Sequence, residues 1–343
     1  MEKIDFPWVK PALERLPATV SAMPHALLLS GQAGLGKRTT ALFLAKALLC
    51  EAERAGEAER AGKGACGTCP SCHLYDVGNH PDLRIIEVGQ EDAQATEASE
   101  EESATPAKKP SRQIPVDAIR ALTDFVATTA HRGRAKVIVI APAEAMHPGA
   151  ANALLKMLEE PPGSTTYFLL VSHRPDRVLP TIRSRCFQVP FGVPATDAAL
   201  DWLKGQGIEH PLLALAQGGY APLAAMERAG NVEFWDQRKA LLDELARPGF
   251  DPLAAADSAE PIDGPVVARL LSQWAYDLIS LKSGGSVRYH PDYAAALEPL
   301  ARKLPAQVIM AWYDSVLQYG RAAQHPLNKR LAMESLLSGY PGT

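Results

Sequence analysis

The sequence predicts an α/β fold: a parallel sheet with helices on both faces, then an all-helical C-terminal part. Three observations predict it. An apolar run, Ala26-Leu27-Leu28-Leu29-Ser30, feeds straight into a glycine loop, and the loop opens a helix. Apolar strands then alternate with helical segments up to Val189, the pattern of a parallel sheet with crossover helices. After Pro194 the strand signal disappears and only helical periodicity remains.

The elements follow in order. Thr39 to Leu49 reads as the helix after the loop, and Glu51 to Lys63 as its solvated, Ala/Glu/Arg-rich extension. Asp82 to Val88 reads as a second strand. Residues 90–110 are acidic and then Pro/Lys-containing, with almost no large apolar residue, which predicts a disordered insertion. Ile119, Leu122, Phe125 and Val126 share one helix face. Val137 to Ile140 is a strand, Ala150 to Glu160 a helix stopped by Pro161-Pro162, and Tyr167 to Val171 a strand. Val178 to Arg185 is a short helix and Phe187-Gln188-Val189 the last strand. Two or three short helices fill 195–230, and longer ones run over Phe234–Leu245, Val266–Leu281, Pro305–Tyr319 and Leu327–Leu337. No internal repeat is visible.

At 343 residues, two or three domains are expected, at roughly 100–200 residues each. A hydrophobic share of 47% supports real cores. A net charge of −4 gives no global pull toward nucleic acid. Met1 to Trp8 lacks a signal pattern, and no apolar stretch approaches the ~20 residues of a membrane helix. The expectation is a cytoplasmic protein with no membrane partner.

Gly31-Gln32-Ala33-Gly34-Leu35-Gly36-Lys37 reads as a phosphate-binding loop. Glycines let backbone N–H groups turn onto phosphate oxygens, and Lys37 pairs with the terminal phosphates. Gly31, Gly34, Gly36 and Lys37 are in place, but the next residue is Arg38 where a Ser or Thr hydroxyl should ligate Mg²⁺. Thr39 sits one position late, ~100° around the helix. The strand that should end in a metal-holding acid ends in Ala141-Pro142, and Glu144 lies three residues past it, too far to assume the role. ATP or ADP binding with weak or absent Mg²⁺ is compatible with this loop; ATP hydrolysis by the chain alone is not expected.

Cys66-Gly67-Thr68-Cys69-Pro70-Ser71-Cys72, with Cys50 upstream, fits a tetrahedral four-thiolate zinc site of structural type. Iron–sulfur is the competing reading, and His73 an alternative to Cys50. Ser184-Arg185-Cys186 ends a helical segment beside the last strand. An arginine there can reach the γ-phosphate of a neighbouring subunit, although on the tripeptide alone an ordinary surface arginine is the favoured reading; Cys186 reads as a small buried residue. His131-Arg132-Gly133-Arg134 with Lys136, and Arg174, Arg177, Arg183 and Arg185, form two small basic clusters, read as solvated loop ends before a DNA-facing patch. Trp274, Tyr276, Trp312 and Tyr313 read as core packing, not base-stacking.

Asn152-Ala153-Leu154-Leu155-Lys156-Met157-Leu158-Glu159-Glu160-Pro161-Pro162, followed by Ser184-Arg185-Cys186, resembles the bacterial clamp-loader AAA+ subunits of DNA polymerase III. The resemblance covers most of 11–192 and runs more loosely to the C-terminus. The missing acid beside an intact Ser-Arg-Cys is similar to the non-hydrolysing kind of subunit, not the ATPase gamma/tau kind; the four-cysteine module does not separate them. The resemblance implies three domains. A RecA-like AAA+ domain spans 1–193, with its zinc module at 50–72 and the insertion at 90–110; a helical lid spans 194–232 and a helical collar 233–343. It also implies gamma/tau and delta subunits as ring neighbours, a sliding clamp and primed DNA as partners, and Arg185 as an arginine acting in trans on a gamma/tau site. Three features depart from the family. The loop is closer to a working one than a degenerate site needs. Gly218-Gly219-Tyr220-Ala221-Pro222 stands where an ATP-sensing arginine belongs, with none before Arg228, and the acidic insertion is extra. The rivals are an active ATPase using Glu144, and a scaffold in which Arg185 has no role.

Overall fold

The computed structural model describes residues 6–17, 19, 22–52, 64–89, 113–132, 134–160, 165–323 and 328–342. The insertion expected over 90–110, the extension over 53–63, Gly133 and the Pro161-Pro162 stop lie outside the described residues. The chain forms two compact units, Met1–Pro194 and Ala195–Thr343. No described helix is long and apolar enough to cross a membrane.

The first unit is built on one sheet of β1 (Ala26–Ser30), β2 (Leu83–Glu87), β3 (Lys136–Ala141), β4 (Thr166–Ser172) and β5 (Phe187–Pro190). The strand order is β2-β3-β4-β1-β5, and every pairing is parallel. β1, β3 and β4 are buried at every residue, which is why they read as continuous apolar runs. The helices are α1 (Lys10–Leu13), α2 (Lys37–Leu49), α3 (Pro70–Asp76), α4 (Val116–Ala127), α5 (Pro148–Glu159) and α6 (Pro180–Arg185). α4 buries Ile119, Leu122 and Val126, an i, i+3, i+7 stripe. Phe125, the fourth residue of the predicted face, is only partly buried. The Arg84 guanidinium lies 4.4 Å and the Lys136 ammonium 4.7 Å from its ring centre. α5 begins on Pro148, whose missing N–H costs nothing in the first turn, and the His147 ring accepts the Gly149 N–H at 3.1 Å.

Among its described residues the second unit forms helices and no strand. α7 (Thr196–Gly205), α8 (Pro211–Gln217) and α9 (Pro222–Ala229) pack around Ala199, Leu203, Ala214, Leu215 and Ala225. α10 (Val232–Ala246), α11 (Pro252–Ala259), α12 (Gly264–Lys282), α13 (Ala294–Lys303), α14 (Ala306–Ala322) and α15 (Lys329–Ser338) share a larger core. Asn231, Asp251 and Asn328 cap α10, α11 and α15 through side-chain oxygens. Trp274 is fully buried and donates to the Tyr340 hydroxyl at 2.9 Å; Trp312 donates to Leu336 O at 3.1 Å. Both tryptophans are core, as predicted, and Tyr313 packs on that core, but Tyr276 stands 42% exposed. Two hydrogen bonds tie the α8–α9 turn to the segment after α12: Gln217 Nε2 to Tyr289 O at 2.7 Å, and the Tyr220 hydroxyl to Arg288 O at 2.9 Å.

Candidate functional site

Because all five strands are parallel, the loop after β1 and the segments after β2, β3 and β4 gather at one edge of the sheet. That carboxyl edge is where open α/β sheets hold ligands. Gly31, Gly34 and Gly36 have φ of 141°, 78° and 85°, a region closed to most side chains. A Cβ on Gly31 would stand 2.5 Å from Phe191 O, so this glycine is required by close approach as well as by conformation. The Trp8 indole donates to Leu35 O at 3.1 Å and braces the loop from outside.

Lys37 begins α2, is 2% exposed, and donates to Gln32 O within its own loop. Burial lowers its pKa to about 8, partly offset by the nearby Glu144 carboxylate. Thr40 is buried and its hydroxyl returns to Gly36 O at 2.8 Å, while Thr39 is exposed. Neither hydroxyl takes the position of the missing Ser or Thr. That position belongs to Arg38, whose guanidinium is gripped by both oxygens of Glu87, with Nη2 to Oε2 at 3.0 Å. This hydrogen-bonded carboxylate raises the Arg38 pKa. Glu87 ends β2 and is in register with Ala141 on β3. An acid thus stands one strand outward from the expected place, and it is already engaged.

The sequence argument that Glu144 lies too far away is corrected. A 3₁₀ turn over Ala143–Ala145 folds the chain back toward the sheet edge. One Glu144 oxygen accepts the His173 N–H at 2.9 Å; the other is buried with no hydrogen-bond partner. The carboxylate acts electrostatically on both Lys37 and His173. Burial, and then the Lys37 charge, push the His173 pKa down, so its ring is neutral at pH 7, with Nδ1 also unpartnered. Glu144, His173 and Glu87 therefore belong to the site although no sequence motif marks them.

Ser184, Arg185 and Cys186 close α6 at the start of β5. Cys186 is 7% exposed, and burial pushes its thiol up to about 12, which makes it an inert core residue as predicted. Arg185 faces outward. Its Nη1 donates to Thr181 O at 3.0 Å and its Nη2 meets Glu159 at 2.6 Å. Glu159 is the last residue of α5, so the two halves of the sequence signature meet in one ion pair. The side chains remain 36% and 49% exposed.

Cys50, Cys66, Cys69 and Cys72 converge. All four sulfurs lie within 4.8 Å of one another, with Cys50–Cys69 and Cys66–Cys72 both at 3.9 Å. A tetrahedron with Zn–S bonds of ~2.3 Å has edges of ~3.8 Å, so the donor set fits a metal ion such as zinc. Backbone N–H groups of Cys66, Thr68, Cys69 and Cys72 point at sulfurs, at 3.3–3.4 Å. Burial raises the Cys66 pKa, but the N–H donations from Thr68 and Cys69 outweigh it and bring the thiol down to about 6. His73 is not in the group. α3 starts on Pro70 inside the cysteine run, and the Tyr75 hydroxyl ties it to Leu42 O at 3.0 Å.

The first basic cluster does not form a patch. Arg132 pairs with Glu51 at 2.7 Å, and His131 and Arg132 donate backbone N–H groups to the buried Asp82. Lys136, expected at a solvated loop end, is 2% exposed, and its ammonium is held by Phe125 O and the Thr128 hydroxyl. In the second unit Tyr220 adopts φ 66°, and Arg228 lies 4.1 Å over the Phe234 ring.

Comparison with known proteins assigns both units. A family model described as DNA polymerase III, delta subunit matches residues 13–194, and one described as DNA polymerase III, delta subunit, C terminal matches 232–340. The DNA polymerase III subunit delta' of Pseudomonas aeruginosa is 35% identical, over 97% of this chain and 96% of that protein. Its counterpart in Yersinia pestis is 32% identical, over 89% of this chain and 85% of that protein.

Proposed function

This chain belongs to the DNA polymerase III subunit delta' family, and from that premise we propose that it is the non-hydrolysing member of a clamp loader. It works in the cytoplasm, in a ring with gamma/tau and delta subunits that opens a sliding clamp and closes it around primed DNA. The RecA-like AAA+ domain, 1–193, presents Arg185 to the ATP site of an adjacent gamma/tau subunit. The lid, 194–232, follows it, and the collar, 233–343, carries the assembly contacts. Zinc in the four-cysteine site holds its module to α2. The loop of Gly31, Gly34, Gly36, Lys37, Arg38 and Thr39 accepts ATP or ADP without needing Mg²⁺.

The observation that carries the reading is an intact cradle in which both metal-holding positions are replaced, by Arg38 and by Ala141. Attack on a γ-phosphate needs those positions to hold Mg²⁺. An arginine acting in trans needs neither, and stabilises charge on the transferring group by about 10³–10⁵ in rate. Glu144 supports the rival reading of an active ATPase, because it is held at the loop's edge of the sheet by the His173 N–H, with its other oxygen lacking a hydrogen-bond partner. Turnover by the purified chain separates the two. The proposal expects no Mg²⁺-dependent ATP hydrolysis; turnover lost in Lys37→Ala and Glu144→Gln would establish the rival.

A further inference from the structure

The four sulfurs of the cysteine cluster are not supplied with hydrogen bonds alike. Four thiolates around one divalent cation leave a net charge of about −2, and donors aimed at the sulfurs hold that charge. Cys50 accepts the Cys66 N–H at 3.3 Å, and Cys69 accepts the Cys72 N–H at 3.4 Å. Cys66 accepts three donors: the N–H groups of Thr68 and Cys69, both at 3.4 Å, and the Thr68 hydroxyl at 3.6 Å. Among the described residues no other hydroxyl meets a sulfur of this group.

The backbone explains the concentration. Gly67 has φ 76°, in the left-handed region, and this turn brings the next two N–H groups back over the Cys66 sulfur. The side chain at 68 is carried to the same sulfur. Its neighbours offer no substitute: Gly67 has no side chain, Pro70 has neither an N–H nor a polar side chain, and the Ser71 hydroxyl is engaged with His80 Nε2. Thr68 is exposed, so its hydroxyl meets Cys66 with water as the competing partner. Cys66 itself is half-buried, whereas Cys50 and Cys72 are buried. Solvent and competing ligands therefore reach Cys66 before those two.

Resting on the reading of the four cysteines as a zinc site, we propose that Thr68 is a positioning residue for the metal: its hydroxyl donates to the bound Cys66 thiolate, stabilises charge that the ion does not cancel, and raises the zinc affinity of the site.

Competition for zinc between the full chain and a colorimetric chelator tests this. Thr68→Val keeps the shape of the side chain and both backbone N–H groups and removes only the hydroxyl. It should hold zinc about tenfold more weakly, the lower end of the range for partners that hydrogen-bond a metal ligand. Thr68→Ser returns a hydroxyl and should recover the natural affinity. Cobalt(II) in the same site supplies a readout that a purely structural role would not move. A donor at sulfur lowers the energy of its lone pairs, so the sulfur-to-cobalt charge-transfer absorption should shift to longer wavelength in Thr68→Val and not in Thr68→Ser. An unchanged affinity or an unchanged absorption in Thr68→Val, or a loss that Thr68→Ser does not restore, would overturn the inference while leaving a zinc site. A natural chain that binds no zinc would remove the site itself, and the inference with it.

Discussion

Changing Cys69 to serine should release the metal and unfold the module around α3 while leaving the sheet in place. α3 has seven residues, and fixing its backbone costs roughly 1–2 kcal/mol per residue, or about 7–14 kcal/mol. A helix that short is not stable alone in water. Its side-chain anchors other than the cysteines include the Tyr75 hydroxyl on Leu42 O, Ser71 on His80, and the Lys46–Asp76 ion pair. At about 1 kcal/mol each they fall well short of the ordering cost. A structural zinc site contributes about 10–16 kcal/mol, enough to close the gap. The assays are metal analysis and amide hydrogen exchange. The unaltered chain should carry one zinc per molecule and protect the α3 amides; Cys69→Ser, or treatment with a strong chelator, should lose both, with β1 and β4 still protected. A metal-free chain with protected α3 would refute the reasoning, and iron with visible absorbance would refute the metal assigned.

Two further outcomes follow from buried charges. The Lys37 pKa is lowered from 10.5 to about 8, so between those values the unfolded chain holds a proton that the folded chain has shed. Stability from this group therefore rises with pH across that window, while phosphate affinity, which needs the ammonium, falls. Nucleotide titrations at pH 7 and 9.5 should show the loss in the natural chain and not in Lys37→Arg. In the second unit the fully buried Asp277 accepts backbone N–H groups from Arg288, Tyr289 and His290, at 2.7–3.1 Å, and meets His290 Nδ1 at 3.0 Å. Asp277→Ala leaves the His290 donors buried and unpaired and takes the partner from the part-buried Arg288 and Tyr289 N–H groups, a loss of about 3–5 kcal/mol that urea unfolding should report.

The parallel sheet is legible in the sequence because β1, β3 and β4 are buried on both faces and leave continuous apolar runs. α11 and α13 are not, because small residues take most of their buried positions, Ala255, Ala256 and Ala259 in one and Ala301 beside Leu297 in the other, and weaken the helical period. α3 is hidden for a different reason: its residues look like metal-ligand spacing and turn chemistry. At the site, the motif residues Gly31 to Lys37 and the four cysteines are readable because they are local. His173 is not, since only the strand order places the end of β4 beside the loop, and Glu87 is not, since only the Arg38 side chain links the edge strand β2 to it. Glu144 misleads by distance along the chain, which a single 3₁₀ turn cancels. Lys136 misleads by charge: its ammonium lies 4.7 Å from the Phe125 ring centre and meets two oxygens, so the lysine is buried with its charge held by partners.

Arg185 carries the central claim, and its test is ATP turnover by a reconstituted loader with clamp and primed DNA, comparing the natural chain with Arg185→Ala. The side chain is exposed and, among the described residues, bonds to Thr181 O and Glu159, so the variant should fold and assemble normally. The account predicts loss of one site's share of turnover, by about 10³-fold or more at that site, with assembly intact. Unchanged turnover in a fully assembled loader would contradict it and leave this chain a scaffold.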